Sequence, residues 1–434
     1  MNERVTIATD RFGNPLAKDL PYARGSLVKD TADDLAKLGN AWRLLKLRID
    51  DKGLGAVYNF SGLDRRLDLD LDHTPFLDDE IAPAVYGDAL TRLGLAHLGG
   101  DAARHDIFTL NRLTGALLLA AEVLVSPGDP VIGVSPRYSH PAVRRAVNRA
   151  GGRFIDVVGL TEFEKALEET PAPPVVFVTR LSVSYEILPQ KDLEVIIGLA
   201  KARGARVIMD DAGGARVGPA IFGQPGALSL GADIAATGLD KYGALGPRIG
   251  LLGGERDIVA KIRARAFETG MELRPMLYPA VVKSLEAYDP ARVRELVATT
   301  KSLADTMRAR IGGNRLLETP VILQIPGEDL LDLLMERGGL SAAPVVPYEA
   351  TAGLATLLLR EHGMLTVHFA GLPPGTSALL IKFVPPETLA KFGGAEAFAD
   401  AVNDCIDKLA GIVSNPNAMR SLLYGDGQSM TDAR

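Results

Sequence analysis

A lysine in a loop, an aspartate at the end of an apolar run and a helix start rich in small residues are spaced in this chain for covalent chemistry. Lys241 stands in Gly238-Leu239-Asp240-Lys241, directly after the apolar stretch 233–237, and is followed by the glycine-rich Tyr242-Gly243-Ala244-Leu245-Gly246-Pro247-Arg248. An amine on such a loop is readily desolvated, which lowers its pKa and makes it a nucleophile at neutral pH. Asp210 closes the apolar stretch 205–210 and enters the small-residue turn Asp211-Ala212-Gly213-Gly214. A carboxylate on a neighbouring strand end can pair with a protonated pyridine nitrogen and keep that ring an electron sink, as pyridoxal phosphate (PLP) chemistry requires.

Two further segments suit the same chemistry. Thr109-Leu110-Asn111-Arg112-Leu113-Thr114-Gly115-Ala116 opens a helical run over 113–125. A helix N-terminus offers free N–H groups and the positive end of its dipole, which suits a phosphate. Thr114 can cap or donate, and Gly115 lets a phosphate come close; an ordinary helix cap would use the same residues. In Ser135-Pro136-Arg137-Tyr138-Ser139-His140, Tyr138 or His140 offers a flat ring to stack on a pyridine.

These residues need elements to hold them. Between about 105 and 255, helix-like and strand-like stretches alternate: strands over 130–134, 153–158, 175–179, 205–210, 233–237 and 249–253, helices over 113–125, 140–151, 161–170 and 191–203. The strands are nearly continuous apolar runs, the pattern of a sheet covered on both faces. The expected fold is α/β, a mostly parallel sheet with right-handed crossovers, whose ligands sit beyond the carboxyl ends of the strands. After residue 282 the pattern changes to a charged helical stretch (290–316), strands over 320–325, 365–369 and 378–384, and a last helix over 395–412. The expected organisation is an arm and lead-in segment (1–75), a large domain (76–290), a small C-terminal α+β domain (291–418) and a polar, frayed tail.

Composition narrows the function. The 434 residues are 47% hydrophobic and 24% charged, with a net charge of −6 and a pI near 5.7, an ordinary globular balance that argues against a nucleic-acid partner. The lone Cys405 permits no internal disulfide, and no His-x-x-x-His pair or cysteine cluster gives a metal site. The charged N-terminus is unlike a signal peptide, and the most apolar run (116–125) is interrupted by Glu122 and too short to span a bilayer, so a cytoplasmic protein is expected. Asp68-Leu69-Asp70-Leu71-Asp72 begins like a calcium loop, but His73 replaces the required glycine and Asp79 the final glutamate, which leaves a half-exposed edge strand. No P-loop or early Gly-x-Gly-x-x-Gly is present.

The run 207–254, VIMDDAGGARVGPAIFGQPGALSLGADIAATGLDKYGALGPRIGLLGG, resembles the core of the bacterial selenocysteine synthase family (L-seryl-tRNA(Sec) selenium transferase), and more closely the archaeal selenocysteine-synthase-like PLP proteins. The similarity extends less sharply over about 59–288, including Thr179-Arg180-Leu181-Ser182-Val183-Ser184-Tyr185. It implies a fold-type-I PLP enzyme of aspartate-aminotransferase-like architecture, with Lys241 as Schiff-base lysine and Asp210 as pyridinium partner. It places the phosphate near Asn111, Arg112, Thr114, Gly115 and Ala116, Ser182 and Ser184 beside the cofactor ring, and Arg248 at a substrate carboxylate or a phosphate. Where many relatives carry a phosphate-binding serine, this chain has Gly238, with Thr237 one residue earlier. In the small domain, Lys382 stands where an arginine commonly grips a carboxylate. The first 75 residues carry no basic stripe, so a tRNA substrate is not expected.

The expected activity is on a small amino acid or amine, by elimination or β-replacement. An aminotransferase is the enzyme alternative, and a non-catalytic regulatory or binding protein the alternative of another class. At least a homodimer is expected, with residues 274–278 reaching the neighbour's site.

Overall fold

The computed structural model describes residues 8–69, 71–170, 172–369 and 372–425. Its contacts group the chain into two units, one of residues 1–62 with 295–434 and one of residues 63–294. In chain order the first unit begins with helix α1 (Thr31–Lys52) and the short strand β1 (Tyr58–Asn59).

The second unit then runs α2 (Ile81–Leu98), β2 (His105–Leu110), α3 (Leu113–Leu124), β3 (Pro130–Ser135), α4 (Pro141–Arg149), β4 (Arg153–Val158), α5 (Gly159–Glu169), β5 (Val175–Thr179), α6 (Gln190–Ala202), β6 (Arg206–Asp210), α7 (Gly214–Phe222), β7 (Ile234–Gly238), β8 (Gly250–Glu255), α8 (Arg256–Thr269) and α9 (Tyr278–Glu286). Its strands form one seven-stranded sheet in the order β2-β8-β7-β6-β5-β3-β4, parallel except for β8, which runs antiparallel to both neighbours. Strand alternation sends Val176, Val178 and Met209 into a core with Ile196 of α6 and Val281 of α9, and Val175, Phe177 and Ile208 into a second core with Val143 of α4 and Ile262 of α8. Each such side chain, fully buried, contributes about 1.5–3 kcal/mol. The sheet is therefore covered on both faces, as the apolar runs require.

The chain continues with α10 (Pro290–Ser302), α11 (Ala304–Ile311), β9 (Leu317–Glu318), β10 (Ile322–Ile325), α12 (Gly327–Gly338), α13 (Pro347–His362), β11 (Met364–Leu365), β12 (Leu379–Lys382), α14 (Pro386–Phe392), α15 (Gly394–Ala410) and α16 (Pro416–Tyr424). Strands β12, β10 and β9 form an antiparallel sheet, and β11 pairs in parallel with β1.

Four expectations need correction. Residues 31–52 are no lead-in: Asp30 caps α1, accepting from the N–H groups of Ala32 and Asp33, and Ala41 packs with Ala355, Leu359 and Phe369. The stretch 365–369 is a strand only at Met364–Leu365, after which Val367–Phe369 turns as a 3-10 helix and buries His368 against Tyr348. The tail does not fray at Ser414, because Asn415 caps α16 and Met419, Leu422 and Leu423 are buried; residues 426–434 lie outside the described residues. The edge strand read at 68–72 includes residue 70, outside the described residues, and Leu71–Phe76 is a 3-10 helix. Among the described residues no helix is long and apolar enough to cross a membrane.

Candidate active site

The carboxyl ends of β5, β6 and β7 lie side by side, with Thr179 opposite Asp210 and Asp210 opposite Ala236. Asp210 and the loop of Lys241 therefore belong to adjacent strand ends. A segment from outside the sheet closes the loop: Leu63 bridges to Lys241 and Asp64 to Leu245, and the Gly246 N–H donates to the Asp64 carbonyl at 3.1 Å. That contact carries Arg65 in, and its Nε donates to Oδ2 of Asp240 at 2.7 Å.

Two consecutive carboxylates leave β6, and their surroundings separate them. Asp211 is fully buried and ion-paired with the equally buried Arg180 at 2.8 Å. Among the described residues Asp210 has no such ion pair, and its buried Oδ1 has no hydrogen-bond partner. Burial pushes its carboxyl up to about 7, with Lys241 pulling it down and Asp211 pushing it further up. A buried acceptor left unsatisfied is costly, so this oxygen is suited to a donor the chain itself does not supply.

The Lys241 side chain is about one-fifth exposed, and Asp240 Oδ1 lies 3.8 Å from its Nζ. Burial lowers the amine's pKa, Asp240 raises it and Arg216 lowers it again, leaving it below the ordinary lysine value. Gly238 makes room for this amine: a Cβ there would stand 2.7 Å from Nζ. The departure from serine at this position thus has a steric consequence as well as the loss of a hydroxyl. Next along the chain, Tyr242 takes φ +50°, packs its ring against Gly213 and shares a 2.5 Å hydroxyl contact with Tyr185, itself at φ +67°. Left-handed backbone at two bulky residues is strain held in place by the packing.

Around the start of α3, Asn111 is exposed and its Nδ2 reaches the Gly270 carbonyl at 3.5 Å. Arg112 is the N-cap residue but supplies no side-chain cap; the Gly115 and Ala116 N–H groups donate to its carbonyl, which leaves those of Leu113 and Thr114 to suit an anion. Thr114 is exposed, Gly115 half-buried and Ala116 buried. Gly250 lets β8 lie against this turn, since a Cβ would meet the Arg112 carbonyl group at 2.8 Å. Arg248 lies two residues before it, and burial together with Arg65 and Arg112 pushes its guanidinium down to about 10. Three arginines and one carboxylate, Asp240, make this corner electropositive.

The remaining candidates are more committed. His140 caps α4, its Nδ1 accepting from the Ala142 N–H at 3.0 Å, and burial with Lys241 and Arg145 nearby pushes the ring down to about 3, so it stays neutral. Tyr138 is half-buried. The Ser182 and Ser184 hydroxyls lie 2.9 Å apart and both reach the Glu186 carboxylate, which turns them toward it. The Thr237 hydroxyl accepts from Arg216 Nη1 at 3.1 Å and donates to the Ala212 carbonyl at 3.3 Å, an inward commitment. Lys382 is buried in β12 of the other unit. In residues 274–278, Arg274 pairs with Asp79 of its own chain, and Met276 is exposed.

Arg65, Glu186, Tyr242 and Arg216 escaped the reading of the sequence. Only Arg216 carried a signal, a lone charge in the small and apolar run Gly213-Gly214-Ala215-Arg216-Val217-Gly218. Among the described residues, His362, Asp404 and Cys405 bring possible ligand atoms within 4.8 Å, but Asp404 is already paired with Lys408 at 2.8 Å and burial pushes the thiol up to about 12.

No family model matches the chain. It is 28% identical over 403 residues, 92% of this chain and all of the relative, to a protein of Methanothermobacter thermautotrophicus named UPF0425 pyridoxal phosphate-dependent protein. Among solved structures it is similar to pyridoxamine-pyruvate aminotransferase of Mesorhizobium loti, with a TM-score of 0.55, 16% identity and coverage of 86% of this chain and 98% of that one. It is also similar to ureidoglycine-glyoxylate aminotransferase of Bacillus subtilis, with a TM-score of 0.53, 13% identity and coverage of 85% and 97%. The fold is thus the aminotransferase-like fold of type I, as the resemblance of residues 207–254 implied, and its sheet is the mostly parallel one that the apolar runs led one to expect.

Proposed function

We propose that this chain is a PLP-dependent enzyme acting on a small amino acid or amine, with Lys241 holding the cofactor and Asp210 facing its ring nitrogen. The observation that carries the reading is the unpartnered, buried Oδ1 of Asp210 on the strand end adjacent to the Lys241 loop. The residues present fit the group. An acceptor lacks a donor, an amine stands in the space Gly238 leaves, and an uncapped helix start with Arg112 and Arg248 close by suits a phosphate. The name of the Methanothermobacter relative supports the same cofactor.

When bound, the cofactor supplies an electron sink for negative charge developing at the substrate's Cα. Asp210 holds the proton on the ring nitrogen. Lys241, its pKa lowered by burial, accepts and returns the proton at Cα. Arg112, Arg248 and the first turn of α3 hold the phosphate dianion. His140, kept neutral, offers a ring to the cofactor face. The reaction proposed is elimination or β-replacement, supported by the resemblance of residues 207–254 to selenocysteine-synthase-like proteins. We propose further that the enzyme is a homodimer in the cytoplasm, with residues 274–278 at the neighbour's site.

Absorbance tests the core of this reading. Purified protein should be yellow, and borohydride should fix the cofactor to Lys241; protein that cannot be reduced onto PLP overturns the proposal. Incubation with amino acids should release keto acid and ammonia without an acceptor. Transfer of the amino group to the cofactor instead would point to an aminotransferase, and no change with any amine to a non-catalytic protein. Gel filtration showing an active monomer would remove the dimer.

A further inference from the structure

Arg216 is charged and has no exposed surface, on a helix whose other buried residues are Gly214, Ala215, Val217, Gly218 and Ala220. Its Nη1 donates to Thr237 at 3.1 Å, but Nε and Nη2, both buried, have no hydrogen-bond partner. No carboxylate lies within 4.0 Å of it among the described residues. Arg180, equally buried, is satisfied differently: Nη2 rests on Asp211 and Nη1 on the Pro225 carbonyl, each at 2.8 Å, with Nε alone left over. Asp240 and Asp211 act on it only through space, without an ion pair, and a buried guanidinium whose donors are left unpaired is costly.

The two idle donors are not an arbitrary pair. Nε–H and Nη2–H point the same way from one edge of the planar guanidinium, at the spacing that accepts both oxygens of a carboxylate. The surroundings add polar atoms in the same condition. The Tyr288 ring lies 6.0 Å from the guanidinium, and its buried hydroxyl is unpartnered. His97 meets that ring edge-on at 4.9 Å, and its buried Nε2 is unpartnered too. Burial and Arg216 push the His97 imidazole well below its ordinary pKa, so it adds no second cation. Through Thr237, four residues before Lys241, this cluster is tied to the strand end that carries the lysine.

We infer that the free edge of Arg216 receives a carboxylate, namely the acid group of the substrate, with Tyr288 and His97 completing the site. Assigning the carboxylate to the substrate rests on the reading of Lys241 above; the anion site itself does not. It gives the enzyme a preference for amino acids over amines and places acid recognition in the unit of residues 63–294. Other small anions of the same chemistry, free acetate or phosphate, are the competing source.

The experiment uses the cofactor-loaded protein. L-Alanine and ethylamine differ only in the acid group, and their binding is read from the cofactor's absorption. Wild type should bind alanine roughly tenfold or more tightly, as for a charged hydrogen-bonded pair, and acetate should compete with alanine. Arg216→Met should abolish both the preference and acetate binding, while Arg216→Lys retains part of each. Equal binding of alanine and ethylamine, or a preference unchanged in Arg216→Met, overturns the inference. Acetate that binds through Arg216 without displacing alanine overturns the assignment to substrate. If Arg216→Met does not fold, Tyr288→Phe and His97→Gln keep the guanidinium and should weaken acetate binding; unchanged binding in both overturns the site. Calorimetric titration with acetate reads Arg216 even if no cofactor binds, so failure of the cofactor reading is told apart from failure of this one.

Discussion

Each unit of the molecule sets a lysine beside a buried aspartate, and the two arrangements are built in opposite ways. In the first unit, both oxygens of the fully buried Asp34 are in use: Oδ2 accepts from Arg24 at 2.7 Å, and Oδ1 accepts from Lys37 at 3.3 Å and from the Tyr348 hydroxyl. Lys37 also donates to Tyr348 at 2.9 Å, and the Tyr22, Tyr348 and His368 rings stack around them. In the second unit, Asp210 keeps an idle oxygen and Lys241 has only Asp240, at 3.8 Å. In the first, closed arrangement the carboxylate is fully used, although Arg24 Nη1 and His368 Nε2 stay buried and unpartnered among the described residues, and it fixes residues 22–37 onto α13; in the second, open one the carboxylate itself keeps hydrogen-bonding capacity for a ligand. What separates the two is therefore not the lysine–aspartate pair but the carboxylate oxygen left unused at Asp210.

The largest effects should come from breaking the open site. Lys241→Ala is expected to remove the borohydride-reducible link and to lower turnover by at least the roughly 10²–10⁴ that a positioned proton-transfer group supplies. Asp210→Ala should keep the cofactor link yet lose most turnover. Both should unfold in urea near the wild-type midpoint, because neither residue closes a network. A variant that loses turnover only by failing to fold would erase the contrast. The closed site should respond the other way. Asp34→Ala strands Lys37 and Arg24 in the core, and breaking a buried pair costs about 3–5 kcal/mol. Urea unfolding should show that loss, with turnover per folded molecule unchanged; a loss below about 1 kcal/mol would mean the cluster is incidental.

How far the sequence made this contrast legible differs between the sites. Strand 175–179 was readable to the residue because a buried parallel strand is an unbroken apolar run, whereas 153–158, at the sheet edge, was read correctly although Arg153 and Asp156 interrupt its apolar residues. That Asp210 and the loop of Lys241 come from adjacent strand ends was readable, because both follow apolar runs that end in small-residue turns. The different surroundings of Asp210 and Asp211 were not, since they depend on Arg180 arriving from the end of β5 to pair with Asp211. Helix α1 was hidden for another reason: it buries Asp34, Lys37 and Asn40 and exposes Leu35, Trp42 and Leu47, inverting the pattern by which an amphipathic helix is recognised.

The pH dependence of stability should carry opposite signs in the two regions. In cofactor-free protein, burial raises the Asp210 carboxyl from 3.8 to about 7, so the folded state keeps a proton the unfolded chain gives up. Its contribution is full below about pH 4 and is lost as pH rises through about 7, at no more than about 1.4 kcal/mol per pH unit. Burial lowers Lys37 from 10.5 to about 8, so here the unfolded chain holds the proton, and stability rises as pH passes from about 8 toward 10. Thermal midpoints across pH 4–10 check both. Asp210→Asn should flatten the acid side only and Lys37→Met the alkaline side only; loss of both slopes in one variant would contradict the separation.

The smallest change probes the gap that keeps the open site open. Gly238 has ordinary backbone geometry, so alanine is accepted there without strain, unlike at Gly243, whose φ is +87°. A methyl at 238 would stand 2.7 Å from Lys241 Nζ and 3.1 Å from Asp240 Oδ1, and the amine, as the end of a flexible chain, would move aside. Gly238→Ala should therefore shift the urea midpoint little, by less than about 1 kcal/mol, within the range of changes that leave packing and pairing intact. Turnover is a stricter reporter, since misplacing a reacting group by about 1 Å can cost roughly 10². The expected result is a near-native midpoint with turnover lowered roughly 10- to 100-fold, while Gly243→Ala loses stability first. Full turnover in Gly238→Ala would mean that the amine does not use the space glycine leaves, and that the position of Lys241 is set by its loop alone.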